Sequence, residues 1–370
     1  MYFKRMVMEK ESPEEIGYDN IRYNLSESSI MDKRLSEIGI HLDDLLLHYG
    51  SHGGVQELKE IIGNSHYGLN AENVLVCSGA CMALFVINAT ILSPKDSVLV
   101  IQPNYATNIE VPRSLDINID LIKLSFDDGF RLDLDEVKSR VHSGTKLISV
   151  TYPHNPSGVM ISRDELDELV RIAEQHDCYL LVDETYRELT FGEKLPTAAS
   201  LSSKAVSVES VSKSYGVPGI RIGWLASQDL ELMERFLATK EQIIICNSIV
   251  DEHIALEVLK KKQELLEETN KKNHKNFQLL KNWMADQSVF EWVEPAGGVV
   301  CLARFRPEIE IDTSKFYNTL FDDYRTFVGP GRWFDQSDRY FRIGYGWPTT
   351  DDLAAGLEGL QSAARDTVSQ

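Results

Sequence analysis

Lys213 sits in the run Ser210-Val211-Ser212-Lys213-Ser214-Tyr215-Gly216-Val217-Pro218-Gly219-Ile220-Arg221-Ile222-Gly223, just after the apolar stretch Ala205-Val206-Ser207-Val208. At the end of a strand, among small and hydroxyl residues, an amine is poorly placed to be a merely solvated charge. Desolvation and a neighbouring cation such as Arg221 favour the free amine over the ammonium, and a free amine condenses with a carbonyl to give an imine. Ser210, Ser212 and Arg221 offer hydrogen-bond donors to a phosphate. The segment is long and specific, and a functional reading suits it better than a structural one.

Four shorter stretches share the lysine's position at the end of an apolar run. Ser78-Gly79-Ala80 precedes the helix-forming Met82, Ala83 and Leu84. Small residues at a helix N-terminus let backbone N–H groups approach a phosphate, although for the tripeptide alone an ordinary strand-to-helix turn is the better reading. Pro103-Asn104-Tyr105 follows the run ending at Ile101. A proline turn can present the Tyr105 ring as a stacking face for a planar ligand, although packing is the commoner use. His154-Asn155-Pro156-Ser157-Gly158 forms a turn on any reading. The Asn155 amide can donate to a phenolate oxygen of a ligand, whereas His154 reads as structural or solvent-facing. Asp183-Glu184-Thr185-Tyr186 ends the run Leu180-Leu181-Val182, where a buried carboxylate requires a partner. A protonated ring nitrogen suits it, and a salt bridge suits it as well.

These positions imply a sheet that gathers them along one edge. From Asn73 onward, the β-rich runs 73–76, 97–101, 146–150, 179–182 and 205–208 alternate with helical patterns such as Ser162 to His176, whose Leu166, Leu169, Val170 and Ala173 share one face. Several runs are almost continuously apolar, as strands buried on both faces are. The expected fold class is therefore α/β: a large domain with a mostly parallel sheet sandwiched by helices, its functional residues at the strands' carboxyl ends. From Asp229 to Asp286 the chain reads as helical, with Leu256 to Trp283 as a long helix linking two domains and its charges on a solvated face. After Phe290, strands return around Pro295-Ala296-Gly297-Gly298. A helix near Ser314 to Tyr324, a turn at Gly329-Pro330-Gly331, a strand at Tyr340 to Ile343 and a final helix follow. This is a smaller α+β domain built from both termini. The expected boundaries are 1–43 for the N-terminal segment, 44–265 for the large domain and 266–370 for the small C-terminal domain.

Composition narrows the function. A chain of 370 residues, 43% hydrophobic and 26% charged, buries a substantial core without staples. A net charge of -19 disfavours nucleic acid or an anionic membrane as the main partner. Cys77, Cys81, Cys178, Cys246 and Cys301 have no framework or zinc-like spacing, so no metal is expected and a reducing cytoplasm is. Met1 to Asn20 lacks the apolar core of a signal peptide, and no run approaches a membrane span.

Taken together and in this order, the motifs between about Tyr49 and Trp347 resemble those of fold type I pyridoxal-phosphate enzymes of the class I/II aminotransferase family. The resemblance implies pyridoxal 5'-phosphate as cofactor, joined to Lys213 as an aldimine. It implies that Asp183 keeps the pyridine nitrogen protonated, that Asn155 and Tyr186 bond the phenolate oxygen and that Tyr105 stacks on the ring. Gly79, Ala80, Ser210, Ser212 and Arg221 are the implied phosphate ligands. Tyr49, in Tyr49-Gly50-Ser51-His52-Gly53-Gly54, resembles the tyrosine that reaches the partner subunit's phosphate and so implies a homodimer. Arg342, in Tyr340-Phe341-Arg342-Ile343-Gly344, resembles the arginine that clamps the substrate α-carboxylate. The family's proline after the stacking tyrosine is replaced by Ala106.

The implied reaction moves the α-amino group of an L-amino acid to a 2-oxo acid in two alternating half-reactions, with Lys213 as the proton shuttle. Related enzymes with a histidine before Asn-Pro act as C–S β-lyases, and others oxidise, hydroxylate or cyclise arginine-like amino acids. Glu27 lies in Asn24-Leu25-Ser26-Glu27-Ser28-Ser29, which loosely resembles the family's substrate-contacting segment. It is a candidate partner for a cationic side chain, with surface solvation its plainer role. A cofactor-sensing regulator domain is a distant rival, because about forty residues before the motifs leave little room for a DNA-binding domain.

Overall fold

A computed structural model describes residues 1–65 and 68–368. A short strand, β1 (Tyr23–Asn24), is followed by β2 (Val74–Cys77), β3 (Ser97–Gln102), β4 (Asn118–Lys123), β5 (Thr145–Thr151), β6 (Tyr179–Asp183), β7 (Ala205–Ser210) and β8 (Gly223–Ser227). Strands β2 to β8 form one seven-stranded sheet in the order β2-β8-β7-β6-β5-β3-β4. Neighbours from β7 to β4 run parallel, and β8 alone runs against the rest.

Both faces of this sheet are buried, which accounts for the nearly unbroken apolar runs. On one face Leu99, Ile101, Ile148 and Val150 pack with Leu166, Leu169 and Ala173 of the helix Arg163–Gln175. On the other, Val98, Val100, Leu147 and Leu181 meet Leu84 and Ile87 of the helix Gly79–Ile91 and Phe236 of the helix Leu230–Glu241. Residues two apart share a face, so adjacent residues feed opposite cores. Ser162 starts the helix Arg163–Gln175 with a capping box: its hydroxyl accepts from the Glu165 N–H at 3.2 Å and its own N–H donates to the Glu165 carboxylate at 2.6 Å.

The later strands are β9 (Phe290–Trp292), β10 (Val300–Phe305), β11 (Thr326–Phe327), β12 (Gly329–Pro330) and β13 (Tyr340–Gly344). They build a four-stranded antiparallel sheet, β12-β13-β10-β9, while β1 pairs in parallel with β11. Phe290, Phe305, Phe316 and Phe341 centre a second core that also takes Leu25 and Ile30 from near the N-terminus.

Two sequence expectations are corrected. The stretch Leu256 to Trp283 is not one helix: helices Ile249–Lys260 and Lys262–Ala285 break at Lys261, whose backbone (φ −99, ψ 11) leaves helical geometry and whose ammonium donates to the Ile38 carbonyl. Gly329-Pro330 is not merely a turn, because it pairs with β13 before the chain bends at Gly331–Phe334.

The first twenty residues fold back as an arm carrying two one-turn helices, Val7–Lys10 and Pro13–Ile16. Met8 packs with Trp333 and Phe334 against the Tyr105 ring. The Glu11 carboxylate accepts from Arg332 Nε at 3.0 Å and from Trp333 Nε1 at 2.9 Å.

Candidate active site

The carboxyl ends of β2, β7, β6, β5 and β3 deliver the sequence candidates to one edge of the large sheet. Cys77 and Ser210 both pair with Gly223, so the turns after β2 and β7 lie side by side. The helix Gly79–Ile91 begins there, and Gly79 takes φ +80. A β-carbon on Gly79 would stand 2.7 Å from Arg221 Nη2, so glycine lets the guanidinium settle over the helix N-terminus. Arg221 is held by Nη1 donating to the Pro218 carbonyl at 2.7 Å. Ser210 accepts from the Ser212 N–H, and both serines are buried. With Ala80 beside them, these groups form a donor-rich pocket aligned with a helix dipole.

Next to it, Asp183 ends β6 at 4% exposure. Thr185 donates to Oδ1 through its hydroxyl at 2.6 Å and its N–H at 3.1 Å, and Asn108 Nδ2 approaches Oδ2 at 3.3 Å. Among the described residues no cation pairs with Asp183, which removes the salt-bridge explanation. Burial pushes its carboxyl above the ordinary range, against those hydrogen bonds and the nearby Lys213. Asn104 Oδ1 accepts from the Tyr105 N–H at 2.7 Å and from Thr151 Oγ1 at 2.8 Å, fixing the turn that carries Tyr105. The Tyr105 hydroxyl meets Cys81 Sγ at 3.1 Å.

The opposite wall comes from the N-terminal segment and β13. Lys213 Nζ donates to Ser28 Oγ at 3.1 Å, and the Tyr186 hydroxyl donates to the Ser28 carbonyl at 2.7 Å. Arg342, 3% exposed, donates from Nη1 to Asn155 Oδ1 at 3.0 Å and from Nη2 to the Ser26 carbonyl at 2.6 Å. Its guanidinium carbon lies 5.1 Å from the Phe334 ring centroid. Because Asn155 Oδ1 is taken by Arg342, its amide NH₂ is left as a donor. Arg342 Nε has no partner, and among the described residues no carboxylate pairs with this cation.

The candidates thus converge, with one exception within a single chain. Tyr49 stands 86% exposed, near Leu46 and Leu47, and among the described residues no hydrogen bond ties it to the pocket. An open cavity of about 650 Å³ lies along this stretch, lined in part by His41, Leu45, His48, Val55 and Ile249. His154 is structural: Nε2 donates to the Pro103 carbonyl at 2.8 Å while Nδ1 accepts from Ser157 Oγ at 2.6 Å. Burial lowers its pKa to about 4. Residues that sequence reasoning passed over are Ser26, Ser28, Asn108 and Thr185. Thr185, two residues after Asp183, has the spacing of a local side-chain bond, and Asn108 lies one helical turn beyond Asn104.

The family model for class I and II aminotransferases matches residues 26–360. The chain belongs to that family. This aminotransferase is 26% identical over 340 residues to the arginine–pyruvate transaminase of Pseudomonas aeruginosa, covering 88% of this chain and 83% of the relative. A pyridoxal-phosphate-dependent aminotransferase from Streptococcus suis superposes with a TM-score of 0.92 at 26% identity, over 100% of both chains. A pyridoxal-phosphate-dependent cyclase, OrfR, superposes at 0.89 with 25% identity, over 99% of this chain and 98% of the other.

The aminotransferase's cofactor is pyridoxal phosphate, and the pocket's chemistry fits it. A buried carboxylate without a cation suits a ring that carries a proton on nitrogen. The glycine-opened helix end, two serines and an arginine suit the phosphate dianion. The Asn155 amide suits a phenolate oxygen, and the lysine amine suits the aldehyde. Among the described residues no helix is long and apolar enough to cross a membrane.

Proposed function

We propose that this enzyme transfers the α-amino group of an L-amino acid to a 2-oxo acid, by two half-reactions alternating at the Lys213 site. One observation carries the reading: a lysine amine shares a pocket with a buried carboxylate and a buried guanidinium, neither of them ion-paired among the described residues. Bound pyridoxal phosphate supplies an electron sink for the pair released at the substrate's α-carbon. Arg342 has three N–H donors beyond its two bonds to Asn155 and Ser26, enough to hold an α-carboxylate and fix the Cα–H bond. Lys213 takes the proton from Cα in the first half-reaction and returns one to Cα of the acceptor in the second. Asp183 holds the ring nitrogen's proton, Asn155 and Tyr186 serve the phenolate oxygen, Tyr105 stacks on the ring, and Gly79, Ala80, Ser210, Ser212 and Arg221 hold the phosphate.

The assembly in this reading is a cytoplasmic homodimer in which Tyr49 reaches the neighbouring subunit's phosphate. Its support is the exposure of Leu46, Leu47, Tyr49, Ile243 and Ile245 on one chain. Residues 44–265 form the cofactor-binding domain, and 266–370 with 1–43 the smaller one, in keeping with the two separate cores.

Cyclisation or oxidation of an arginine-like amino acid is the second reading; the similarity to the OrfR cyclase favours cyclisation, and that to the arginine–pyruvate transaminase an arginine-like substrate. The lyase alternative loses ground because His154 is locked between Pro103 and Ser157. An absorption spectrum of protein loaded with pyridoxal phosphate separates these. Transamination predicts a visible band that an amino acid bleaches and a 2-oxo acid restores. Oxygen uptake, a cyclic product or ammonia release would reject it in favour of the others. Failure to retain the cofactor would reject all.

A further inference from the structure

Carboxylates of the N-terminal segment lie within electrostatic reach of the pocket that holds Lys213 and Arg342. Glu27 lies between Ser26, whose carbonyl binds Arg342, and Ser28, which binds both Lys213 and Tyr186, so the clamps on either side fix its place at the rim. Its carboxylate accepts from the Tyr18 hydroxyl at 3.0 Å, and the Tyr18 ring stacks on Trp347 with centroids 6.2 Å apart. Glu9 follows Met8, which is seated against Trp333, Phe334 and Tyr105, and it lies within electrostatic reach of Lys213 and Arg221. Glu14, on the second short helix of the arm, repels both Glu9 and Glu27.

Among the described residues none of these three carboxylates has an ion-pair partner, although other arm acids do: Glu15 pairs with Arg5 and Glu11 with Arg332. Burial first, and repulsion from Glu14 after it, raise Glu9 and Glu27 above the ordinary carboxylate range. Of the cations within their reach, Arg5 is paired with Glu15, and in this reading Lys213 serves the cofactor, Arg342 an α-carboxylate and Arg221 the phosphate. The buried, orphaned Nε–H of Arg342 marks the α-carboxylate end of the ligand, on a cation that the Ser26 carbonyl ties to the segment carrying Glu27.

We propose that Glu27, backed by Glu9 and Glu14 on the N-terminal arm, selects amino acids with a cationic side chain of the arginine, ornithine or lysine type and rejects acidic ones. This deepens the amino-acid reading of the site and rests on it. With the α-carboxylate on Arg342 and the α-amine toward Lys213, a side chain reaching back to the rim meets negative charge. An extended guanidinium or ammonium relieves the repulsion there, whereas an aspartate or glutamate side chain adds to it.

The test uses holoenzyme whose cofactor has been fixed to Lys213 by borohydride reduction, so that binding is measured without turnover. Mass spectrometry of the Lys213 peptide first establishes the adduct, and its absence would overturn the cofactor reading and this inference with it. Calorimetry then compares L-arginine, L-ornithine, L-glutamate and L-citrulline, the last an uncharged near-isostere of arginine. Arginine is expected to bind about tenfold more tightly than citrulline, with no measurable glutamate binding. Glu27→Gln should erase most of the arginine preference while leaving citrulline binding intact, which also shows that the variant is folded. Glu9→Gln should erase a smaller part. Equal binding of arginine and citrulline, preference for glutamate, or an arginine preference that survives Glu27→Gln would each overturn the proposal.

Discussion

The floor and the roof of the pocket are built in opposite ways. The floor is a row of strand ends: Asp183 closes β6, Gly79, Tyr105, Asn155 and Lys213 each follow a buried strand, and the sheet register sets their spacing. The roof is assembled from segments far apart in sequence. Ser26 meets Arg342 and Met8 meets Trp333, with no shared sheet between them except the two-residue pairing of β1 with β11. The floor carries groups suited to any amino acid, and the roof carries the charges able to tell one side chain from another. A general chemistry can thus sit on rigid elements while selection is left to loosely connected ones.

Substitutions that break this contrast rank by expected size. Lys213→Ala should lower the single-turnover rate on the order of 10⁴-fold for every amino acid alike. A loss that varied with the side chain would mean that the floor also discriminates. Arg342→Ala removes a buried cation that joins floor to roof, and kcat/KM should fall about 10³-fold, chiefly through KM. Steady-state kinetics with a constant KM would show that the carboxylate binds elsewhere.

His154 tests the floor's stability. It is neutral when folded, with its pKa near 4 against an ordinary 6.5, so the unfolded chain binds the extra proton between those values. Its contribution is complete above about pH 6.5 and is lost as the pH falls toward 4, amounting to about 3 kcal/mol. Urea unfolding at pH 7.5 and 5.0 should show about 2 kcal/mol of this drop, the rest appearing only as the pH nears 4, and His154→Gln should flatten it. The smallest effect belongs to the roof. Glu11→Ala unclips the arm from Arg332 and Trp333, costing about 1 kcal/mol or less. Limited proteolysis should cut residues 1–20 sooner, with Lys213 chemistry unchanged.

The floor was legible in the sequence because its signals are local. A strand buried on both faces writes a continuous apolar run, and whatever follows it lies at the carboxyl edge; Asp183 and Lys213 were found in this way. Strand β4 was missed because it is an edge strand: Asn118 and Lys123 are exposed and only Ile122 is buried. The break at Lys261 was missed because Lys261 sits in a helix-favouring run and is drawn off by a contact with Ile38, over two hundred positions away. The arm was read only as a charged N-terminus, since four-residue helices are too short to show periodicity. Ser28 and Asn108 carry ordinary side chains that tertiary contacts alone make important.

Strand β2 lies at the sheet's edge, and among the described residues β8 is its sole strand neighbour, Val74 opposite Ala226. On the ribosome, the Ser78-Gly79 turn therefore has no sheet to anchor it until synthesis has passed Ser227, and such long-range pairing is slow to form. The Ser26–Arg342 link waits longer still. A nascent chain halted between these points would hold a nearly finished cradle for the phosphate before it had any means of gripping an amino acid.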